Sequence, residues 1–166
     1  MESISIRDMQ PEDWQEVSKI YKEGIATGMA TFEKKVPEYD AWNNAHLDHC
    51  RIVAIKKNAI LGWAALSPVS SRCVYGGVGE VSVYVSQNSR GEGVGSLLMN
   101  ALISKSELAG FWTLQSGIFP ENLGSIELHK KTGFRYIGKR ERIGSLDGVW
   151  KDNLLFERRS KLIGVN

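Results

Sequence analysis

The chain has little cysteine, little charge imbalance and no long apolar run. Cys50 and Cys73 are the 2 cysteines among 166 residues, too few for a disulfide framework, which points to a reducing compartment. Lys and Arg number 21 against 19 Asp and Glu, a net charge of +2. That near-balance argues against a protein that coats nucleic acid or an anionic membrane, while leaving room for a local basic site. No apolar stretch approaches the ~20 residues that cross a bilayer. The opening Met1–Arg7 alternates like a strand and lacks the basic and apolar regions of a signal peptide, so a cytoplasmic protein is expected. Repeats, low-complexity tracts and linkers are also missing, and the length suits one domain over 1–166.

What the chain does have is glycine, 17 residues of it, set among elements of both kinds. Ile4 and Ile6 alternate as a first strand, and Pro11-Glu12-Asp13 opens a helix bearing Trp14, Val17, Ile20 and Tyr21 and ending near Gly24. After the loop Thr27–Glu33, a second helix is predicted from about Pro37, carrying Tyr39, Trp42 and Leu47. Arg51–Ile55 and Ala59–Leu66 read as a hairpin turning at Lys56-Lys57-Asn58, and Ser67–Gly79 reads as loop. Glu80–Val85 is the clearest strand, with Val81, Val83 and Val85 on one face and Ser82 and Tyr84 on the other. A helix from about Val94 to Ala109, a strand Phe111–Phe119 and a helix Asn122–Lys131 closed by Thr132-Gly133 follow. Strands Phe134–Ile143 and Val149–Arg158 flank Asp147-Gly148. The order is mixed α/β.

The turn Arg90-Gly91-Glu92-Gly93-Val94-Gly95 joins that clearest strand to a helix. Glycines let backbone N–H groups approach a ligand, and the helix start adds unpaired donors and a positive dipole end. Arg90 adds a full charge, so the segment reads as a phosphate site. Ser96-Leu97 after Gly95 excludes a Walker loop, which needs Gly-Lys-Ser/Thr. A dinucleotide fingerprint needs glycine where Ser96 stands; Glu121, placed where a ribose-binding acid would be, keeps it as the weaker alternative.

Val83-Tyr84-Val85, Arg90–Gly95, Asn122-Leu123-Gly124-Ser125 and His129 together resemble the GNAT superfamily of acyl-CoA-dependent N-acetyltransferases. Within it, Thr31-Phe32-Glu33, Glu80–Val85 and Ser125-Ile126-Glu127-Leu128-His129 are most similar to the phosphinothricin and methionine sulfoximine acetyltransferases. The resemblance implies the GNAT-type fold, a mostly antiparallel central sheet splayed at the CoA site with flanking helices. It also implies acetyl-CoA as co-substrate, and no metal is expected.

By that resemblance, the pantetheine arm pairs with the backbone of Val83, Tyr84 and Val85 like an added strand, and an N–H there polarises the thioester carbonyl. The pyrophosphate sits on Arg90–Gly95. Ser96 adds a hydroxyl or caps the helix. Asn122, Ser125 and His129, at i, i+3 and i+7, share a helix face that spacing alone would equally assign to solvent. The family places the asparagine at the pantetheine amide and the histidine near the sulfur, as a proton donor to the thiolate or a relay; a packed structural histidine is the competing reading. Lys131 resembles the residue that touches a CoA phosphate, with Lys130 as the alternative.

Glu80 corresponds to the glutamate that takes the attacking amine's proton, and Glu33 is a second carboxylate that a loop ion pair would explain equally well. Phe32, Arg72, Tyr75, Val81 and Ser82 are the expected acceptor-binding residues, with the Arg72 guanidinium on a substrate carboxylate. Val74-Tyr75-Gly76-Gly77-Val78-Gly79 departs from the more basic, aromatic segment of the relatives. Neither cysteine lies in a motif, so direct transfer in a ternary complex to the amine of a small amino-acid-like molecule is expected rather than an acyl-cysteine. Acetylation of a polyamine or protein N-terminus, and a non-catalytic CoA-responsive module, are the alternatives. The family is commonly dimeric, which implies a homodimer, with an apolar strip from the C-terminal strands as its interface.

Overall fold

The computed structural model describes residues 2–166. Its strands are β1 (Ser5–Asp8), β2 (Ile52–Lys56), β3 (Ala59–Pro68), β4 (Val78–Val85), β5 (Thr113–Ile118), β6 (Arg135–Leu146) and β7 (Val149–Arg159). The helices are α1 (Trp14–Ala26), α2 (Tyr39–Ala45), α3 (Val94–Leu108) and α4 (Leu123–Lys131). All seven strands form one sheet in the order β1-β2-β3-β4-β5-β7-β6. Every neighbouring pair is antiparallel except β4 and β5, which are parallel. The mostly antiparallel sheet that the resemblance implied is therefore present.

The central strands are buried on both faces, which is why β2 and β3 read as nearly unbroken apolar runs. On one face, Ile52, Ala54, Ala64, Leu66 and Val81 pack with α3 through Val94, Leu98, Met99 and Leu102. On the other, Val53, Trp63 and Ala65 meet Val17, Ile20 and Tyr21 of α1 and Trp42 of α2. The alternation read in β4 holds: Val83 and Val85 join the first cluster and Tyr84 the second.

Several boundaries differ from the sequence expectation for identifiable reasons. Helix α1 runs on through Gly24 to Ala26, because Gly24 is where α1 closes on β4: a Cβ there would lie 2.5 Å from the Tyr84 ring. Helix α2 is short and stops before Leu47, whose N–H instead donates to the Leu66 carbonyl across the loop. β4 starts two residues early, at Val78, because Trp112 lies against Gly77 and its N–H, like that of Thr113, donates to the Gly77 carbonyl. Both hairpins turn where expected, on left-handed residue pairs: Lys57 (φ 51°) with Asn58 (φ 65°), and Asp147 (φ 51°) with Gly148 (φ 80°).

Candidate active site

The parallel ladder between β4 and β5 is short. It pairs Val78 with Thr113, Gly79 with Leu114 and Glu80 with Gln115, then stops. Val81–Val85 continue to pair with β3 on their other edge. Their edge toward β5 therefore carries backbone N–H and C=O groups without a strand partner, and such groups demand one. A cleft of about 980 Å³ opens there, walled by β4 from Glu80 to Val85 and by Ser116 and Gly117 of β5. An extended amide chain laid along that edge would be received as a strand is.

The glycine-rich turn forms one end of the cleft. Gly91 and Gly93 each have φ 81°, and nothing lies within 4 Å of a Cβ built on either. Glycine is needed there for backbone conformation, not for space. The left-handed Gly93 is the N-cap of α3 and offers no side chain to cap it, so the first-turn N–H groups of α3 stay free. At Gly95, by contrast, a Cβ would make ordinary contact with Leu128 at 3.4 Å, so neither space nor backbone conformation demands glycine there. Arg90, Val94, Ser96 and Lys131 also line this end. Glu92 does not; it is exposed on the outer side of the turn.

Helix α4 contributes Asn122, Ser125 and His129 to the cleft wall. Asn122 caps the helix by accepting from the Ser125 N–H at 3.2 Å, while its amide nitrogen donates to the Met29 carbonyl at 3.3 Å. It thus ties the loop after α1 to α4, and each end of its amide keeps one further bonding position for a ligand. His129 is 3% exposed. Its Nδ1 lies 2.7 Å from the Ser125 carbonyl, which can only accept, so Nδ1 carries the proton. Nε2 is then a bare lone pair, buried and, among the described residues, without a partner. Burial holds the imidazole below its ordinary pKa, with the bond to Ser125 opposing more weakly. His129 is therefore neutral at pH 7, poised to accept a hydrogen bond rather than storing a proton.

Glu80 stands exposed at the mouth of the gap, on the last rung of the β4–β5 ladder. Val81, Ser82 and Tyr84 line the cleft beyond it. Tyr84 clusters with Tyr21 and Trp63, each 4.9 Å away, and burial pushes its hydroxyl well above the usual tyrosine range. Phe32 reaches the cleft from the loop between α1 and α2, edge-on to Phe119 at 4.7 Å and directly over Gly144, where a Cβ would lie 2.9 Å from its ring.

Three residues expected at the acceptor end lie elsewhere. Arg72 and Tyr75 sit in the exposed turn before β4, with the Arg72 guanidinium 5.5 Å over the Tyr75 ring, and neither lines the cleft. The turn is held away by Gly77, on which Trp112 packs. Glu33 is also outside: its N–H closes a turn on the Thr31 hydroxyl at 3.1 Å, and the ion pair in this loop is Lys34 with Asp147. The cleft instead takes in Arg140, Ile143, Gly144 and Asn153 of the β6–β7 hairpin. No local motif marks these four. The signal available was topological, since a strand order placing β7 and β6 beyond β5 brings the hairpin to the open side of the gap. Among the described residues no group of His, Cys, Asp and Glu is arranged for a metal, and no helix is long and apolar enough to cross a membrane.

The sequence profile of the acetyltransferase (GNAT) family matches residues 7–134. An L-methionine sulfoximine/L-methionine sulfone acetyltransferase of Pseudomonas paraeruginosa is 28% identical over 90% of this chain and 91% of its own. A phosphinothricin N-acetyltransferase of Alcaligenes faecalis is 28% identical over 94% of this chain and 82% of its own. The crystal structure of a GNAT superfamily phosphinothricin acetyltransferase from Sinorhizobium meliloti, in complex with acetyl-CoA, superposes with a TM-score of 0.88 at 26% identity, covering 98% of this chain and 91% of that one.

Proposed function

Since the chain belongs to the GNAT acetyltransferase family and uses acetyl-CoA, we propose that it acetylates the amine of a small amino-acid-like molecule by direct attack in a ternary complex. The observation that carries this reading is the interrupted β4–β5 ladder with Glu80 on its last rung. A thioester delivered along the free edge of β4 would end beside that carboxylate. An α-amino group is largely protonated below its pKa of about 8 and must lose a proton before attack. Glu80, directly or through water, takes it; nitrogen bonds to the acetyl carbon, and a β4 backbone N–H receives the oxyanion. Collapse breaks the carbon–sulfur bond, and the thiolate recovers a proton. With its lone pair at Nε2, His129 is suited to hold the water that carries this proton. Arg90, Gly91, Gly93–Ser96 and Lys131 receive the CoA phosphates, and Asn122 and Ser125 the pantetheine.

With Arg90 and Lys131 serving the CoA phosphates, the charged residues left in the cleft lining are Arg140 and Glu80, one cation and one carboxylate, which suit an amino acid better than a polyamine. Following thiol release from acetyl-CoA across phosphinothricin, methionine sulfoximine, methionine sulfone, spermidine and an N-terminal peptide tests the reading. Intersecting initial-rate lines are expected with the amino-acid analogues. Silence across all three removes the amino-acid-like acceptor, and parallel lines remove direct transfer. Exposed Tyr136, Ile137, Ile143, Val149 and Trp150 on the β6–β7 hairpin support a homodimer, checked by light scattering. The free thiols of Cys50 and Cys73 are consistent with action in the cytoplasm.

A further inference from the structure

We infer that Arg140, on strand β6, recognises the carboxylate of the acceptor, the role expected of Arg72. This rests on the amino-acid reading above and names the residue that would make it specific. Most other arginines already have partners. Arg7 is paired with Asp13, Arg135 with Glu157 and Arg158 with Glu107. Arg51 is bound to Asn43 and to loop carbonyls, Arg159 to carbonyls of the C-terminal segment, and Arg72 lies over Tyr75 outside the cleft. Arg90 belongs to the phosphate turn. Arg140 lines the cleft and, among the described residues, its guanidinium makes no hydrogen bond or ion pair.

Strand register places Arg140 on the face where the amine must arrive. Gln115 is the rung partner of Glu80, and Gly117, two residues on, projects to the same side of the sheet. A Cβ at Gly117 would meet the Asn153 amide oxygen at 2.4 Å, so Asn153 reaches over Gly117 on that side. Arg140 is the rung partner of Asn153 across β6 and β7 and shares its face. Glu80, Gly117, Asn153 and Arg140 thus run across one face of the sheet: a base at one side, a planar cation at the other, and between them Gly117 covered by the Asn153 amide. An amino acid offers the complementary pair, an amine for the carboxylate and a carboxylate for the guanidinium, whose fork geometry suits two oxygens at once.

The experiment compares wild type, Arg140→Ala, Arg140→Lys and a control, Arg142→Asn, which keeps a residue tolerant of the left-handed backbone there (φ 43°). Steady-state constants are measured for an amino-acid acceptor, for its methyl ester and for acetyl-CoA. Arg140→Ala should lower kcat/KM for the free acid about 10–100-fold, chiefly through KM. The ester and the acetyl-CoA KM should move less than about twofold. Lysine should restore part of the loss, and the control should match wild type. Equal losses on acid and ester, or a raised acetyl-CoA KM, which would make Arg140 a phosphate ligand of CoA, overturn the assignment and leave the amino-acid reading standing. If wild type acetylates no carboxylate-bearing amine, both fall together.

Discussion

The two ends of the cleft are built by opposite means. The CoA end is mostly backbone: the free edge of β4, left-handed Gly91 and Gly93, and the uncapped start of α3, all within a short run of chain. The end proposed for the acceptor is mostly side chains carried by separate elements: Phe32 from the loop after α1, Glu80 from β4, Arg140 and Asn153 from β6 and β7. A backbone site binds a constant ligand, because no single side chain defines it. A side-chain site changes its preference by one substitution while the fold stays intact. On the proposed assignment, donor chemistry is thereby held fixed and acceptor choice left adjustable.

Substitutions at the two ends should therefore fail differently. Glu80→Gln keeps shape and removes the base, so turnover should fall about 10²–10⁴-fold while acetyl-CoA binding, followed by calorimetry, stays near wild type. Full turnover would clear Glu80 of the role. At the other end, Gly93→Val places a branched side chain at φ 81°, a strain on the order of 1–2 kcal/mol. The acetyl-CoA KM should rise about tenfold with the acceptor KM unmoved. A shift in both constants together would erase the distinction between the ends.

The same contrast explains what the sequence made legible. Gly91, Gly93, Asn122, Ser125 and His129 announce themselves because their geometry is set within one turn or one helix, where spacing is structure. Arg140 and Asn153 become neighbours of Gly117 only through a strand order in which β7 lies beside β5, a long-range pairing that no local pattern encodes. Arg72 misleads for the same reason. Its position just before β4 puts it near Glu80 in the chain, yet the packing of Trp112 on Gly77 holds the turn away from the cleft.

His129 is carried by α4 on the cleft wall, and the smallest expected effect is the one its substitution has on stability. Its imidazole is neutral when folded, because burial lowers its pKa, whereas the unfolded chain titrates at about 6.5. Below that pH the unfolded state binds the additional proton and is favoured. The penalty is absent above about pH 7 and grows as pH falls from about 6.5 toward the lowered folded value, below which it levels off. Wild type should therefore lose more melting temperature than His129→Gln between pH 7 and pH 5, by roughly 2–4 °C for each kcal/mol in a chain of this size. His46, whose pKa burial also lowers, contributes equally to both proteins and cancels in the difference. Parallel losses would mean that His129 takes up its proton in the fold, with Nε2 acting as a charged donor to the thiolate instead of holding a water.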